Sequence, residues 1–139
     1  MSALSNYLEN ALLQELFNAT NLAPPATHVA LFTTDPTDAG NGTEVSGGSY
    51  ARKLVSPTGG TAPAWAAAAE NAPGYKVVNA DAISFATASA SWGTITHFGI
   101  FDAGTAGNLL MHGSLAEAKT VGSGDTFRFG AGDLTLRLE

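Results

Sequence analysis

Apolar positions in this chain follow helical spacing in one segment only, and switch to short runs and two-residue alternation after it. Residues 6–18 place Leu8, Leu12 and Leu16 along one face, widened by Leu13 and Phe17, which predicts one amphipathic helix. Asn6 is a suitable cap, and Glu9 sits in the first turn, where a carboxylate favours the unpaired N–H groups and the helix dipole. Polar residues 18–21 and then Pro24-Pro25 predict its end, since proline cannot continue the hydrogen-bond ladder.

After Pro25 the pattern predicts strands at 28–34, 43–55, 75–78, 82–85, 93–102, 109–115, 126–129 and 133–138. The segment 43–55 is more polar and carries Gly47-Gly48, a signal for a bulge or turn. Within 93–102, Ile95, His97, Gly99 and Phe101 alternate with Thr96, Phe98 and Ile100. In the last segment Leu134, Leu136 and Leu138 share one face, opposite Thr135 and Arg137. Breakers separate these runs: Asp35-Pro36, Gly40-Asn41-Gly42, and residues 102–107, 122–124 and 130–132. Residues 56–74, with Pro57, Gly59-Gly60, Pro63 and Pro73 around Trp65 and an alanine run, read as a long, mobile inter-strand connection. A short helix at 64–71 is the other reading of those alanines. The fold class expected is mainly β: an antiparallel sandwich over 27–138, jelly-roll or immunoglobulin-like, preceded by the helix at 6–18, all within a single domain at 1–139.

Composition changes the picture in one respect. Only 13% of the residues are charged, with a net charge of −6, against about a quarter in an average soluble domain. Gly, Ala, Thr and Ser stand where Lys and Glu are usual. Such a surface suits contact with other protein copies, or reflects compositional bias. Six scattered basic residues in an acidic chain argue against direct nucleic-acid binding. With no cysteine there is neither a disulfide framework nor a thiolate metal site. No basic stretch leads into a long apolar run, so neither a signal peptide nor a membrane span is expected.

Candidate chemistry is sparse. His28, His97 and His112 could form a zinc site only if neighbouring strands brought them together with a carboxylate or water, and their spacing offers no close pair. A histidine hydrogen-bonded within the fold is the simpler role for His97. No Gly-x-Ser-x-Gly elbow accompanies the Ser, His and Asp residues. Asp35, Asp38, Glu44 and Asp102 could supply the paired carboxylates of a glycosidase, but the three aspartates stand in loops, where Asp caps turns. Residues 35–42 are rich in oxygen ligands without the register of an EF-hand. Residues 104–107 lack the phosphate-cradling pattern. The two acceptor-like triplets at Asn18 and Asn41 are unremarkable in a Thr-rich chain. No catalytic, metal or cofactor residue is expected.

Three other residues invite a role. Arg52 has the geometry to pair bidentately with Glu44 or Asp102, tying a loop to the sheet, with Tyr50 on the same face beside the guanidinium. Trp92, at the start of the 93–102 strand, reads as a core anchor. Trp65 is the better candidate for contact with something outside the chain, either as a stacking platform or as part of an interface.

Five passages together carry a family likeness: Ala30-Leu-Phe-Thr-Thr-Asp-Pro-Thr-Asp-Ala-Gly40, Thr43-Glu-Val-Ser-Gly-Gly-Ser-Tyr-Ala-Arg52, Ile95-Thr-His-Phe-Gly-Ile-Phe-Asp-Ala103, Asn108-Leu-Leu-Met-His-Gly-Ser-Leu115 and Gly124-Asp-Thr-Phe-Arg-Phe-Gly-Ala-Gly-Asp-Leu-Thr-Leu136. In order and spacing they resemble the tail-fibre-like structural proteins of bacteriophage virions, over nearly the whole chain. The resemblance implies a non-enzymatic virion component, made in the bacterial host cytoplasm, that works through self-association and contacts with other virion proteins. It departs from a fibre in lacking a long repetitive shaft, so a small module present in several copies is expected, a trimer by the usual preference for cyclic symmetry. The helix face of Leu8, Leu12, Leu16 and Phe17 is the expected core lid or subunit contact. Two alternatives stay open: a capsid decoration protein clamping the head shell, and a module that binds or cleaves a host surface glycan.

Overall fold

The computed structural model describes residues 2–18 and 26–138. The chain starts with a short strand, β1 (Ser2–Leu4), and turns at once into the helix α1 (Asn6–Asn18). The helix boundaries coincide with the 3.6-residue apolar period, but its cap is Ser5, one residue before the Asn6 read from the sequence. The Ser5 hydroxyl accepts the Leu8 N–H at 3.2 Å and the Ser5 carbonyl accepts the Glu9 N–H at 3.0 Å. Ser5 is also buried, donating its hydroxyl to the Leu109 carbonyl and its N–H to Leu110 O at 2.9 Å. Burial selects the serine, because it can satisfy the helix start and the neighbouring strand together. The Pro24-Pro25 stop lies outside the described residues.

The remaining elements are strands: β2 (Thr27–Phe32), β3 (Lys53–Val55), β4 (Ala69–Asn71), β5 (Gly74–Val78), β6 (Ile83–Ser84), β7 (Gly93–Phe101), β8 (Leu109–Val121), β9 (Arg128–Phe129) and β10 (Thr135–Leu138). All their pairings are antiparallel. The class is therefore mainly β with one N-terminal helix, as the alternation predicts. The largest sheet runs β1-β8-β7-β2-β3, accompanied by a three-stranded sheet β10-β5-β4 and a two-stranded pair β6-β9. That division into five, three and two strands differs from the two facing sheets that a jelly-roll or immunoglobulin-like sandwich implies.

One apolar cluster joins the layers. Val29, Leu31, Ile95, Phe98 and Ile100 of the large sheet pack with Trp65, Ile83, Phe129 and Leu134, and with Leu4 and Leu8 at its edge. A smaller cluster of Ala30, Phe32, Phe101 and Leu109 fills the other face of the large sheet. Gly99 belongs to that second face: a Cβ there would lie 2.9 Å from the Phe32 ring, 3.0 Å from Leu109 and 3.0 Å from Phe101. Its missing side chain lets the two stacked phenylalanines meet across the strand, centroids 6.2 Å apart.

β7 does not keep the simple alternation of its sequence. Its register slips between Ile95 and His97, where β8 jumps from Lys119 to Ser114. Residues 115–118 bulge out of the ladder, and the slip puts Ile95 into the main core with Phe98 and Ile100 instead of beside Gly99 and Phe101. Nor is the 43–55 segment a continuous strand. Glu44 makes a single bridge to Phe32, the chain turns through Gly47, Gly48 and Ser49 at positive φ, and only Lys53–Val55 pairs with β2.

Residues 56–74 carry more order than the sequence implies. Ser56 bridges Ala64, Trp65 bridges Asn79, and β4 pairs with β5, so the connection ends in a strand and the alternative of a helix at 64–71 does not hold. Trp65 is 8% exposed and donates its indole N–H to Thr27 Oγ1 at 2.7 Å. The physical reason is that both Trp65 backbone neighbours are tied to other strands, which turns the ring inward. Trp92 is likewise buried, its indole N–H donating to Gly48 O at 2.9 Å.

Candidate interaction surfaces

No residue of α1 is buried. Leu8 rests on the edge of the main core and Leu12 is half-buried, whereas Leu16 is 73% and Phe17 77% exposed, with Tyr7 and Leu13 also open to solvent. The helix is thus anchored at its first turn, by Ser5 and by the Asn6 N–H donating to Asp38 O at 3.1 Å, and presents an apolar second half outward. Of the four residues singled out on this face, Leu8 packs against the core. Isolated exposed leucines are ordinary, but a row of large apolar side chains on one short helix is a surface that protein contact would cover.

Among the described residues, two grooves stand out. The first, about 360 Å³, lies beneath the helix and is walled by Tyr7, Leu8, Trp65, Val77, Leu110 and Leu136. Here one edge of Trp65 meets solvent. The second, about 640 Å³, opens between the bulged part of β8, β9 and β10, and its lining includes Lys119, Arg128 and Arg137 beside Phe127 and Phe129.

Arg52 forms a clasp on the opposite face of the large sheet. Of its two possible carboxylate partners the structure places Glu44 against it, with Nε to Oε1 at 2.8 Å and one terminal nitrogen to Oε2 at 2.7 Å. The other terminal nitrogen donates to the carbonyls of Ala103 and Ala106, at 3.0 and 2.7 Å. Asp102, the second candidate, instead accepts from the backbone and side chain of Asn108, at 2.7 and 2.8 Å, closing its own loop. The aromatic beside the guanidinium is Phe101, 3.6 Å from its centroid, not Tyr50. Tyr50 reaches the same carboxylate from the core side: its hydroxyl donates to Glu44 Oε1 at 3.0 Å and accepts the Leu31 N–H at 2.9 Å.

Burial raises the Tyr50 pKa above the ordinary phenol value, and the Glu44 charge adds to that. The folded state therefore keeps this proton where the unfolded chain releases it. The resulting stabilisation is complete below about pH 10, the unperturbed tyrosine value, and declines as pH rises beyond it. Urea unfolding at rising alkaline pH should show that decline in the wild type and a smaller one in Tyr50→Phe. Equal slopes for the two proteins would refute it.

The histidines divide. His97 and His112 share the Asp35–Asp38 turn: His112 Nε2 lies 2.9 Å from Asp38 Oδ1 and Nδ1 3.6 Å from Asp35, while His97 Nε2 is 3.9 Å from Asp35. His28 pairs with Phe101, four residues along β7 from His97, a separation of roughly 13 Å at the usual strand rise. Among the described residues no three His, Asp or Glu side chains are grouped to hold a metal ion. Asp35 accepts the Thr37 N–H at 2.9 Å, the turn-capping role expected of a loop aspartate. Thr96, whose hydroxyl lies 2.8 Å from His97 Nδ1, is already committed to Thr33 O at 3.0 Å. Sequence reasoning passed over two buried polar residues: Ser5, and Asn79 at the turn between β5 and β6. Polar residues at element ends look like ordinary breakers, and only the tertiary partners distinguish them.

A sheet-built core, a helix that exposes part of its apolar face and two open grooves describe a small β-rich protein. Among the described residues no helix is long and apolar enough to cross a membrane. Its sequence matches a family over residues 3–137, and the chain belongs to that family, Gp80, described as the podophage GP4 fiber I protein gp80. The family is one of phage fibre proteins, as the tail-fibre-like resemblance implied, and membership makes the protein a virion component. No curated protein matches the chain.

Proposed function

We propose that this protein is a non-enzymatic module of a phage fibre, made in the host cytoplasm as one folding unit and assembled as a closed homo-oligomer, a trimer, that joins other virion proteins. Membership of a fibre family supports the location on the tail. The observation that carries the mechanism is α1: thirteen residues, none buried, with Leu13, Leu16 and Phe17 open to solvent. Covering those side chains is what association would accomplish, since each large apolar side chain removed from water is worth about 1.5–3 kcal/mol. Trp65 contributes from the wall of the groove beneath the helix, where one edge remains available to a partner.

The test is the double variant Leu16→Asp, Phe17→Asp. Both positions are exposed, so the fold should survive, with unchanged circular dichroism. Self-association should weaken about thirty-fold or more, as expected for loss of an interface anchor worth about 2 kcal/mol, and purified particles should carry correspondingly fewer copies. A folded variant that enters particles at the wild-type level would refute the role of the helix.

A further inference from the structure

We infer that the groove between β8, β9 and β10 is the acceptor for helix α1 of a second copy, so that subunits join head to tail. The inference rests on the proposed self-association through α1 and names the surface that receives it. The two surfaces match in both hydrophobicity and charge. The helix carries Glu9 in its first turn and no basic residue, together with its exposed leucines and Phe17. The groove gathers Lys119, Arg128 and Arg137, three of the six basic residues in a chain of net charge −6. Those three are exposed, while Leu115, Phe127 and Phe129 give the groove an apolar floor.

The acidic residues at the groove do not cancel this pattern. Asp133 accepts the Gly130 N–H at 2.9 Å and belongs to its own turn, leaving Glu117 on the bulge as the opposing charge. The groove volume, about 640 Å³, falls within the roughly 300–1,000 Å³ typical of ligand-sized clefts, enough for an apolar ridge of side chains to enter. α1 contributes no lining residue to this groove; it lines the other one. Helix and acceptor are therefore separate faces of one subunit. A contact between two different faces propagates from copy to copy and closes into a ring when its rotation divides the circle, whereas a helix-to-helix contact would stop at a dimer.

The experiment uses two variants of the full chain: a groove variant, Arg128→Glu with Arg137→Glu, and the helix variant, Leu16→Asp with Phe17→Asp. Sedimentation equilibrium should give a multimer for the wild type and weaker association for each variant alone: about ten-fold or more for the groove variant, where like charges then face each other across the contact, and about thirty-fold or more for the helix variant, which loses its apolar anchors. Mixed in equal amounts, the variants should form a one-to-one dimer and nothing larger, because only one intact helix and one intact groove remain. A mixture that stays monomeric overturns the inference, as does a groove variant that associates like the wild type. The same holds if the groove variant keeps its mass but loses retention on heparin, which would make the groove a site for anionic saccharide. A wild type that is monomeric throughout would remove the self-association reading as well, so the two failures are distinguishable. Cysteine pairing gives a second readout in a chain without cysteine: Phe17→Cys with Arg128→Cys should yield disulfide-linked multimers on oxidation. Dimers from Phe17→Cys alone, equal in yield, would point to helix-to-helix contact and against the groove.

Discussion

Replacing Arg52 with alanine is expected to destabilise the protein by about 3–5 kcal/mol, the range for breaking a buried ion pair from one side. The guanidinium is almost wholly buried and satisfies four acceptors: both Glu44 oxygens and the carbonyls of Ala103 and Ala106. Removing it leaves the partly buried Glu44 charge with the Tyr50 hydroxyl and what water reaches it, and frees the loop between β7 and β8. It also uncovers the Phe101 ring, on which the guanidinium stacks at 3.6 Å. Lysine should not rescue the loss, because a single ammonium cannot span a carboxylate and two carbonyls in fork geometry. Replacing both charges, as Arg52→Met with Glu44→Leu, should recover part of the stability, since the penalty comes largely from the stranded partner. Urea unfolding of the four proteins measures this. A loss below about 1 kcal/mol for Arg52→Ala, the level of an exposed pair, would refute the clasp as a buried, fully used contact.

The fate of Arg52 also indicates how far the sequence could be read. Tyr50 and Arg52 share a period, and a nearby carboxylate was a safe expectation. The choice of Glu44 over Asp102 depends on the bridge between Phe32 and Glu44, a long-range pairing with no local signature. The helical segment and the antiparallel class were legible because apolar periodicity is local. Ser5 and Asn6 are equally good caps in isolation, and only the neighbouring carbonyl of Leu109 decides between them. In β7 the alternation misplaced Ile95 because the extra residues that shift the register sit in the partner strand. The end of β8 was missed for the same cause: residues 116–121 are mostly polar or alanine, and Lys119, Thr120 and Val121 are extended because they pair with β7. The strands that hold Trp65 inward were not legible, because a segment rich in proline and glycine carries no sign of them. The exposed apolar row on α1 was visible as a pattern. Its exposure was not, since periodicity identifies a face without saying what covers it.

Asn79 is where the second large effect is expected, and nothing in its surroundings in the sequence marks it. The residue is fully buried, and its side chain does three things. Nδ2 donates to the carbonyls of Asp81 at 2.8 Å and Gly130 at 2.7 Å, and Oδ1 accepts the Leu134 N–H at 2.9 Å. Its backbone adds the Asn79 N–H to Leu134 O at 3.2 Å and receives the Gly132 N–H at 2.8 Å. One amide thus joins the end of β5 to the turn that leads into β10, and so fixes the wall of the groove proposed to accept the helix. Asn79→Ala leaves three backbone groups without that partner. At about 1–3 kcal/mol for each buried group left unsatisfied, with some relaxation, the expected loss is about 3–4 kcal/mol. Asn79→Asp should be at least as harmful near neutral pH, because a carboxylate cannot donate to two carbonyls and would face them with a buried negative charge. The distinguishing readout is hydrogen exchange: the Leu134 N–H should lose protection in Asn79→Ala well beyond what the global loss of stability explains. Retained protection with a loss below about 1 kcal/mol would mean that water or a shifted backbone replaces the amide, and that Asn79 does not hold the β10 turn in place.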